Sequence, residues 1–339
     1  MTLPSITRRT ALAGILSLAA APLTVRAAAN PKVSVALDWT PNTNHVGLYV
    51  ARDRNFYRDA GLDVDILPYT DTSAATLVAS RVADFGVLGS IGLMTQRAAG
   101  ADLIGTFAIV QKETGRVVFK ADRSDIQTPK DLDGKTYGGF GSAWENALLG
   151  SMIRKAGGKG EFETVTLGTS AYQALDNGAV DFTLEVYTWE GVQAELENKA
   201  QRAFVYADYG VPDEHTAILG SSNAYLADKP ELARAFMQAT RKGYEFAADH
   251  PDEAAAILIA GSDGALMNAE LVHASLKALV DGAYLRTAPG KAGDMNPAKM
   301  ADIGNYLFDA GILKDANGAP LAERPDFSAA FTNGLLAGS

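Results

Sequence analysis

Cysteine is absent from the 339 residues of this chain. Disulfide frameworks, thiolate zinc sites, iron–sulfur clusters and cysteine nucleophiles are therefore excluded. The same absence excludes a lipid-modified cysteine at a signal-peptide boundary. Basic residues are also scarce, since 30 Lys and Arg stand against 40 Asp and Glu, which gives a formal net charge of −10. This acidic balance opposes a nucleic-acid partner, and we expect none.

Long apolar runs are missing after residue 29, because no later stretch approaches the roughly 18 apolar residues of a membrane-spanning helix. Residues 1–29 combine the pair Arg8-Arg9, an apolar run over 11–25 and three alanines that end at Ala29. This order is typical of a signal peptide cleaved after Ala29; a buried N-terminal helix is the alternative. Ala11 stands where twin-arginine signals usually have an aromatic residue or leucine, so the Tat and Sec routes both stay open.

Export changes the charge of the product. Residues 1–29 carry three arginines and no acid, so the mature charge is (30 − 3) − 40 = −13. We expect an unanchored, acidic protein of the periplasm.

Short apolar runs alternate with helical patterns along the chain, which favours an α/β fold with largely parallel sheets. The predicted strands cover residues 33–37, 62–67, 84–88, 103–110, 116–120, 136–140, 165–167, 182–186 and 216–220. The predicted helices cover 45–54, 73–81, 142–156, 171–177, a segment from 189, 230–248, 251–259, 268–280 and 297–310. The tail from Asp315 is rich in Ala and Gly, and we expect it to be weakly structured.

Two α/β units followed by a helical region predict two lobes around a cleft. We expect residues 30–118 and 218–339 to form lobe 1 and residues 119–217 to form lobe 2, with hinge crossings near 116–120 and 216–221. Ligands of open α/β sheets bind beyond the carboxyl ends of strands. The loops at 38–45, 89–93, 138–144 and 186–190 are therefore the candidate binding loops.

Two segments resemble catalytic or phosphate-binding motifs, but neither has the residue spacing that its motif requires. Gly134-Lys135-Thr136 resembles the end of a phosphate-binding loop, but Pro129 occupies the position of the required first glycine. The segment GSIG at 89–92 lacks the Gly-x-Ser-x-Gly spacing of a nucleophile elbow. The four histidines have no metal-ligand spacing. We expect no catalytic residue, no metal and no cofactor.

The first loop, LDWTPNTNH at 37–45, places Trp39 directly after a strand. Trp39 can offer a flat face for stacking, and Asn42 or Asn44 can bind polar edges of a ligand. The alternative is that Trp39 packs between strand and helix while Asn44 caps the helix.

The second loop, YGGFGS at 137–142, leads into a helix. Gly139, Gly141 and the N–H groups around Ser142 allow close approach of an acceptor. The alternative is a tight strand–helix turn in which Glu145 forms a capping box with Ser142.

The third loop, EVYTWEG at 185–191, offers Tyr187 and Trp189 as walls for a flat ligand and Glu190 as an acceptor of N–H donors. The alternative is an exposed Glu190 beside core aromatics. Ser90, after the strand at 84–88, is a further polar candidate. Together the loops favour a cleft for a small, flat, polar molecule.

The first loop with GLYVA at 47–51 resembles the opening of the thiamine-pyrimidine binding family, solute-binding proteins of ABC importers for formylaminopyrimidine and hydroxymethylpyrimidine precursors. The segments FYRDAGL at 56–62, ADFG at 83–86, YGGFGS with Glu145, and WEG at 189–191 agree, and the likeness runs from about residue 33 to 251. The resemblance implies the type II periplasmic-binding fold. It also implies an aminopyrimidine ligand stacked on Trp39 and Tyr187 and bound at its amino edge by Glu190.

The same superfamily includes the fungal pyrimidine synthase for thiamine, whose pyridoxal-phosphate lysine and nearby histidine align with Leu88 and Gly92. The cysteine cluster of that synthase would fall near residues 215–220, where this chain has none. The resemblance therefore implies binding by a monomer that delivers its ligand to an inner-membrane ABC permease. A riboflavin-like ligand, a sulfonate or nitrate, and an exported pyrimidine-processing enzyme stay open as alternatives.

Overall fold

The computed structural model describes residues 29–287 and 292–338. The predicted export signal lies outside these residues, apart from Ala29. In the described part of the chain, no helix has both the length and the apolar character needed to cross a membrane.

Lobe 1 is built on a five-stranded sheet of order β2-β1-β3-β10-β4. Its strands are β1 Lys32–Ala36, β2 Asp63–Leu67, β3 Phe85–Leu88, β4 Ile104–Ala108 and β10 Ile218–Ser221. β1 pairs in parallel with β2 and β3, whereas β10 runs antiparallel between β3 and β4.

Lobe 2 repeats this arrangement. Its strands are β5 Gly115–Lys120, β6 Thr136–Gly139, β7 Glu163–Thr166, β8 Thr183–Val186 and β9 Gln201–Val205. β5 lies antiparallel between β8 and β9, β6 pairs in parallel with β7, and a parallel bridge from Tyr137 to Phe182 joins the two groups. The resulting order, β7-β6-β8-β5-β9, matches that of lobe 1.

The expectation of largely parallel sheets is wrong for the pairs that involve β5 and β10. Each of these strands enters its lobe directly from the other lobe. It therefore runs opposite to the strands that the βα connections of its own lobe make parallel.

The helices surround both sheets. In the described residues they are α1 Val46–Asp53, α2 Phe56–Asp59, α3 Ala74–Ala79, α4 Ser90–Ala98, α5 Ala143–Lys155, α6 Ser170–Asp176, α7 Val192–Leu196, α8 Asn223–Asp228, α9 Pro230–Asp249, α10 Pro251–Gly261, α11 Ala269–Asp281 and α12 Pro297–Asp309. The side chains of Ser73, Ser142 and Asn268 cap α3, α5 and α11. α4 was not predicted because Gly89 precedes it and no side chain caps its start.

A close helix crossing holds the first candidate loop in place. A Cβ atom on Gly243 of α9 would lie 2.1 Å from the carbonyl oxygen of Gly47 in α1, so the two backbones touch. The adjacent Tyr244 hydroxyl donates a 2.8 Å hydrogen bond to the carbonyl oxygen of Asn44. α9 thereby fixes the loop that follows β1.

The C-terminal tail is ordered, which corrects the expectation of weak structure. Phe327 and Ala330 of a short helical turn are buried, as are Leu335 and Leu336. The amide of Thr332 donates a 2.9 Å hydrogen bond to the carbonyl oxygen of Gly105 at the edge strand β4. The tail therefore covers an open sheet edge, and its few apolar side chains are enough to dock it.

Two crossings connect the lobes, at residues 109–114 between β4 and β5 and at residues 206–217 between β9 and β10. They run side by side, because the amide of Ile109 donates to the carbonyl oxygen of Ala217 at 2.9 Å. The predicted division at 118/119 and 217/218 stays a prediction; β5 passes through the first of these positions.

Candidate functional site

A cleft of about 620 Å³ lies between the lobes and is lined from both sides and from the crossings. Its aromatic lining consists of Trp39, Tyr137, Phe140, Trp144, Tyr172 and Tyr206. Its acidic lining consists of Asp38, Glu113, Glu145, Glu185 and Glu214. None of the described residues that line the cleft is Lys, Arg or His. Flat faces and carboxyl groups suit a planar ligand that donates hydrogen bonds or carries positive charge.

Trp39 lies where the two lobes approach each other. Its ring centroid is 5.3 Å from that of Tyr69 in lobe 1 and 5.9 Å from that of Phe140 in lobe 2, with the Phe140 ring edge-on. Phe140 is 52% exposed, and Trp39 is half-buried. The Trp39 indole therefore lines the cleft and also contacts the facing lobe.

Asn42 and Asn44 do not line the cleft. Asn42 is 7% exposed, and its side-chain oxygen caps the turn Thr43–His45 by accepting from the amide of Asn44 at 2.9 Å. His45 is buried and bonds through Nε2 to Asp38 Oδ1 at 2.8 Å. The loop thus uses Asn42 and His45 to hold Asp38 and Trp39 at the cleft.

Around α5, Ser142 and Glu145 line the cleft and also form the expected capping box. Ser142 Oγ accepts from the amide of Glu145 at 3.3 Å, and Glu145 Oε2 accepts from the amide of Ser142 at 2.8 Å. Gly141 has a φ of +70°, which favours glycine. Gly139 also lines the cleft, and a Cβ there would lie 1.9 Å from the Tyr137 hydroxyl oxygen.

We expect Ser142→Ala to lower the free energy of unfolding by about 1 kcal/mol, because the amide of Glu145 loses its partner. Ser142→Thr keeps a hydroxyl cap and serves as the control. Urea denaturation of both variants measures the difference. An alanine variant as stable as the threonine variant would contradict the capping role.

The turn Tyr187–Gly191 is a single wide π-type turn that docks on lobe 1. Ser275 of α11 donates a hydrogen bond to the carbonyl oxygen of Thr188, and Trp189 packs against the core of lobe 1. The Arg116 guanidinium lies over the Tyr187 ring, with its Cζ 4.3 Å from the centroid of that ring. Tyr187 also lines a separate groove beside α7 and α11. Tyr187 and Trp189 are therefore not among the residues that line the main cleft.

Glu190 is not among the residues that line the cleft. Its Oε2 accepts from the amide of Val186 at 3.1 Å, and burial raises its pKa to about 7. Tyr172 lines the cleft. Burial raises the pKa of Tyr172, and the charges of Glu190, Glu185 and Glu145 raise it further.

The raised pKa of Glu190 predicts a pH-dependent stability. The unfolded pKa is near 4.5, so between about pH 5 and about pH 7 the folded state keeps a proton that the unfolded state has released. Stability therefore falls as pH rises through this window.

We expect the free energy of unfolding of Glu190→Gln to fall less from about pH 5 to about pH 8 than that of the parent protein. Urea denaturation at both pH values tests this, and an unchanged slope would refute it. Glu195→Gln, on the exposed side of α7, is the control.

Ser90 is buried in lobe 1 and donates a 2.7 Å hydrogen bond from Oγ to the carbonyl oxygen of His215. It ties α4 to the second crossing, while its neighbours Gly89, Ile91 and Gly92 line the cleft. Leu88 is 4% exposed and packs in a core cluster of lobe 1. Because Leu88 and Gly92 carry neither amine nor imidazole, these two positions do not fit pyridoxal phosphate.

Sequence reasoning did not single out several residues of the cleft. Tyr137 and Tyr172 lie on predicted elements, and the Tyr137 hydroxyl has no hydrogen-bond partner among the described residues. Glu113 and Glu214 belong to the crossings, where acids are frequent in a chain of this charge. The signal that could have found them is their position beside the predicted hinges. Among the described residues, no group of three or more His, Asp or Glu side chains could hold a metal ion.

Two α/β lobes, two crossings and a cleft between them define the type II periplasmic-binding-protein fold. The alkanesulfonate-binding protein of Xanthomonas axonopodis pv. citri, bound to MOPS, has this fold with a TM-score of 0.65 at 15% identity over 89% of this chain and 98% of that one. The sulphonate-binding protein of Escherichia coli gives 0.64 at 16% identity, covering 88% and 91%. The molecule thus has the fold of the two-lobed periplasmic binding proteins.

The chain belongs to the NMT1/THI5-like family, whose profile matches residues 42–254. A formylaminopyrimidine-binding protein from Halalkalibacterium halodurans is 31% identical over 238 residues, 69% of this chain and 71% of that protein. A 4-amino-5-hydroxymethyl-2-methylpyrimidine phosphate synthase from Legionella pneumophila is 24% identical over 244 residues, 67% of this chain and 72% of that protein.

Proposed function

We propose that this protein captures a thiamine-precursor pyrimidine, formylaminopyrimidine or hydroxymethylpyrimidine, and delivers it to an ABC permease of the inner membrane. Capture takes place by closure of the two lobes in the periplasm. The observation that carries the proposal is the lining of the cleft, in which aromatic faces from both lobes surround buried carboxyl groups. The name of the Halalkalibacterium relative supports the same ligand class.

The chemistry of the cleft supports an aminopyrimidine over an anion. A sulfonate or nitrate needs cationic groups or a set of N–H donors, and the cleft lining supplies carboxyl groups instead. The amino group of a pyrimidine donates N–H bonds, which these oxygens accept.

Within this proposal, Trp39 stacks on the ligand ring. Ser142, Glu145 and the backbone of Gly139, which line the cleft, face it from lobe 2, and Gly141 forms the turn between them. Glu190, which does not line the cleft in this structure, reaches the amino edge of the ligand when the lobes close. For Tyr187, Trp189, Asn42, Asn44 and Ser90, the contacts described above support a role in positioning the loops and crossings rather than in contacting the ligand.

A thermal-shift panel on the mature chain tests the proposal. It comprises formylaminopyrimidine, hydroxymethylpyrimidine, thiamine, riboflavin, taurine and nitrate. A pyrimidine at a hundredfold excess over Kd stabilises the folded protein by about 2.7 kcal/mol. A melt that moves with riboflavin, taurine or nitrate and with neither pyrimidine overturns the ligand assignment. Turnover of hydroxymethylpyrimidine would overturn the binding role.

A further inference from the structure

A second cavity, of about 290 Å³, adjoins the main cleft and is called the side pocket below. All of its lining residues belong to lobe 1. The side pocket and the main cleft share four lining residues, so the two cavities meet there: Asp38, Ser73, Gly89 and Gly92. A ligand in the main cleft can therefore extend a substituent into the side pocket.

Two glycines leave the passage between the cavities open. A Cβ atom on Gly92 would meet no atom of another element within 4 Å, and a Cβ on Gly89 would lie 3.5 Å from the carbonyl oxygen of Thr216. The φ angle of Gly89 is −88°, and Gly92 lies inside α4, so neither backbone conformation requires glycine. Glycine also disfavours a helix interior. The space that a side chain at Gly92 would fill is therefore available to a ligand.

Asp38 stands at this junction and is oriented by His45. The amide of Asn42 donates to His45 Nδ1 at 3.3 Å, so the ring hydrogen lies on Nε2, which donates to Asp38 Oδ1 at 2.8 Å. This tautomer of His45 is neutral and leaves the negative charge of Asp38 uncompensated. The His45 side chain is fully buried, whereas the Asp38 side chain is 40% exposed. The hydrogen bonds among the described residues engage Asp38 through Oδ1, so Oδ2 is left for a ligand.

The lining of the side pocket does not offset this charge. None of the described residues that line it is Lys, Arg or His, and Asp71, an exposed residue of the same lining, adds a second negative charge. Hydrogen bonds from a charged N–H donor to a carboxylate are stronger than those from a neutral donor. The junction therefore favours a substituent that combines positive charge with N–H donors.

We infer that the side pocket receives a protonated alkylamine carried on the pyrimidine ring, and that Asp38 Oδ2 accepts its N–H bond. The fitting ligand is an aminomethylpyrimidine, in which an ammonium group replaces the hydroxyl of hydroxymethylpyrimidine. A hydroxyl forms only a neutral-donor hydrogen bond with Asp38, and a phosphorylated substituent is repelled by the carboxylate. The inference rests on the proposed function and concerns the ring substituent, not the amino edge of the ring.

Calorimetric titration with the two pyrimidines tests the role of Asp38, at about pH 6 so that the amine is protonated. The parent protein should bind aminomethylpyrimidine about fivefold more tightly than hydroxymethylpyrimidine, or better. Asp38→Asn keeps an oxygen for His45 and removes the charge, so the preference should shrink to within about twofold. Asp65→Asn, at an exposed position of β2, is the matched control and should keep the preference. A parent protein without the preference, or an Asp38→Asn variant that retains it, overturns the inference.

A space-filling variant tests the passage independently of charge. Gly92→Leu places a side chain where no atom of another element lies within 4 Å of its Cβ, and leucine suits a helix better than glycine, so the fold should tolerate it. Its affinity for aminomethylpyrimidine should fall about tenfold more than its affinity for 4-amino-2-methylpyrimidine, which has no substituent to place in the side pocket. Gly92→Ala should lie between the parent protein and the leucine variant. Equal losses for the two ligands contradict the inference.

The two experiments separate this inference from the proposed function. If the parent protein binds none of these pyrimidines, the proposed function is refuted and the inference falls with it. If it binds them with a preference that does not depend on Asp38, the proposed function stands and only the role of the side pocket is wrong.

Discussion

Trp39→Ala is expected to weaken the binding of hydroxymethylpyrimidine by about 1–3 kcal/mol, which is roughly fivefold to 150-fold in Kd. Two losses add up in this variant. The ligand loses the flat face of the indole, and lobe 1 loses its edge-on contact with Phe140 across the cleft. Calorimetric titration measures the change.

Two controls define what the Trp39 result means. Trp39→Phe keeps an aromatic face, so its affinity should lie between those of the parent protein and the alanine variant. Tyr69 contacts Trp39, with the ring centroids 5.3 Å apart, and does not line the main cleft. Tyr69→Ala should therefore cost less than Trp39→Ala. Affinity unchanged in Trp39→Ala would refute the stacking role.

Arg116→Met is expected to lower the free energy of unfolding by about 3–5 kcal/mol at about pH 8. Arg116 Nε donates to Glu185 Oε1 at 2.8 Å, and the Glu185 side chain is only 2% exposed. Removing the guanidinium leaves a buried carboxylate with no compensating cation. It also removes the cation that lies over the Tyr187 ring.

The effect of Arg116→Met should depend on pH. Burial raises the pKa of Glu185 and Arg116 lowers it, so removing the arginine raises this pKa further. An acid with a raised folded pKa loses stability as pH rises, and the variant should therefore be less impaired at about pH 5 than at about pH 8. Urea denaturation at both pH values measures this.

A double variant gives the control for Arg116. Arg116→Met with Glu185→Gln leaves no unpaired charge at this buried pair, so most of the lost stability should return. A double variant as unstable as the single one would mean that packing, and not the unpaired charge, explains the loss.

Local patterns were sufficient to predict most helices and strands. Ser73, Ser142 and Asn268 cap helices at the predicted positions, because a cap depends on residues within one turn. The buried strand β3 was recognisable from a short apolar run. Strand direction could not be predicted from local patterns, because β5 and β10 run antiparallel only as a result of arriving from the other lobe.

The candidate site was also predicted only in part from local sequence. Trp39, Ser142 and Glu145 were predicted in the loops and line the cleft. Asn42 lies in the same loop as Trp39, but its side chain turns inward and caps the helical turn. Sequence spacing places both residues near the end of a strand and does not decide which of them faces the other lobe.

The sequence by itself determined the two-lobed α/β fold, its capped helices and its acidic balance, because apolar periodicity, capping and charge are properties of neighbouring residues. The tertiary structure alone decided that Trp189 packs against the core of lobe 1 and that Glu113 and Glu214 line the same cleft. These two acids are about a hundred residues apart in the printed sequence. Only the side-by-side course of the two crossings brings both acids to this cleft.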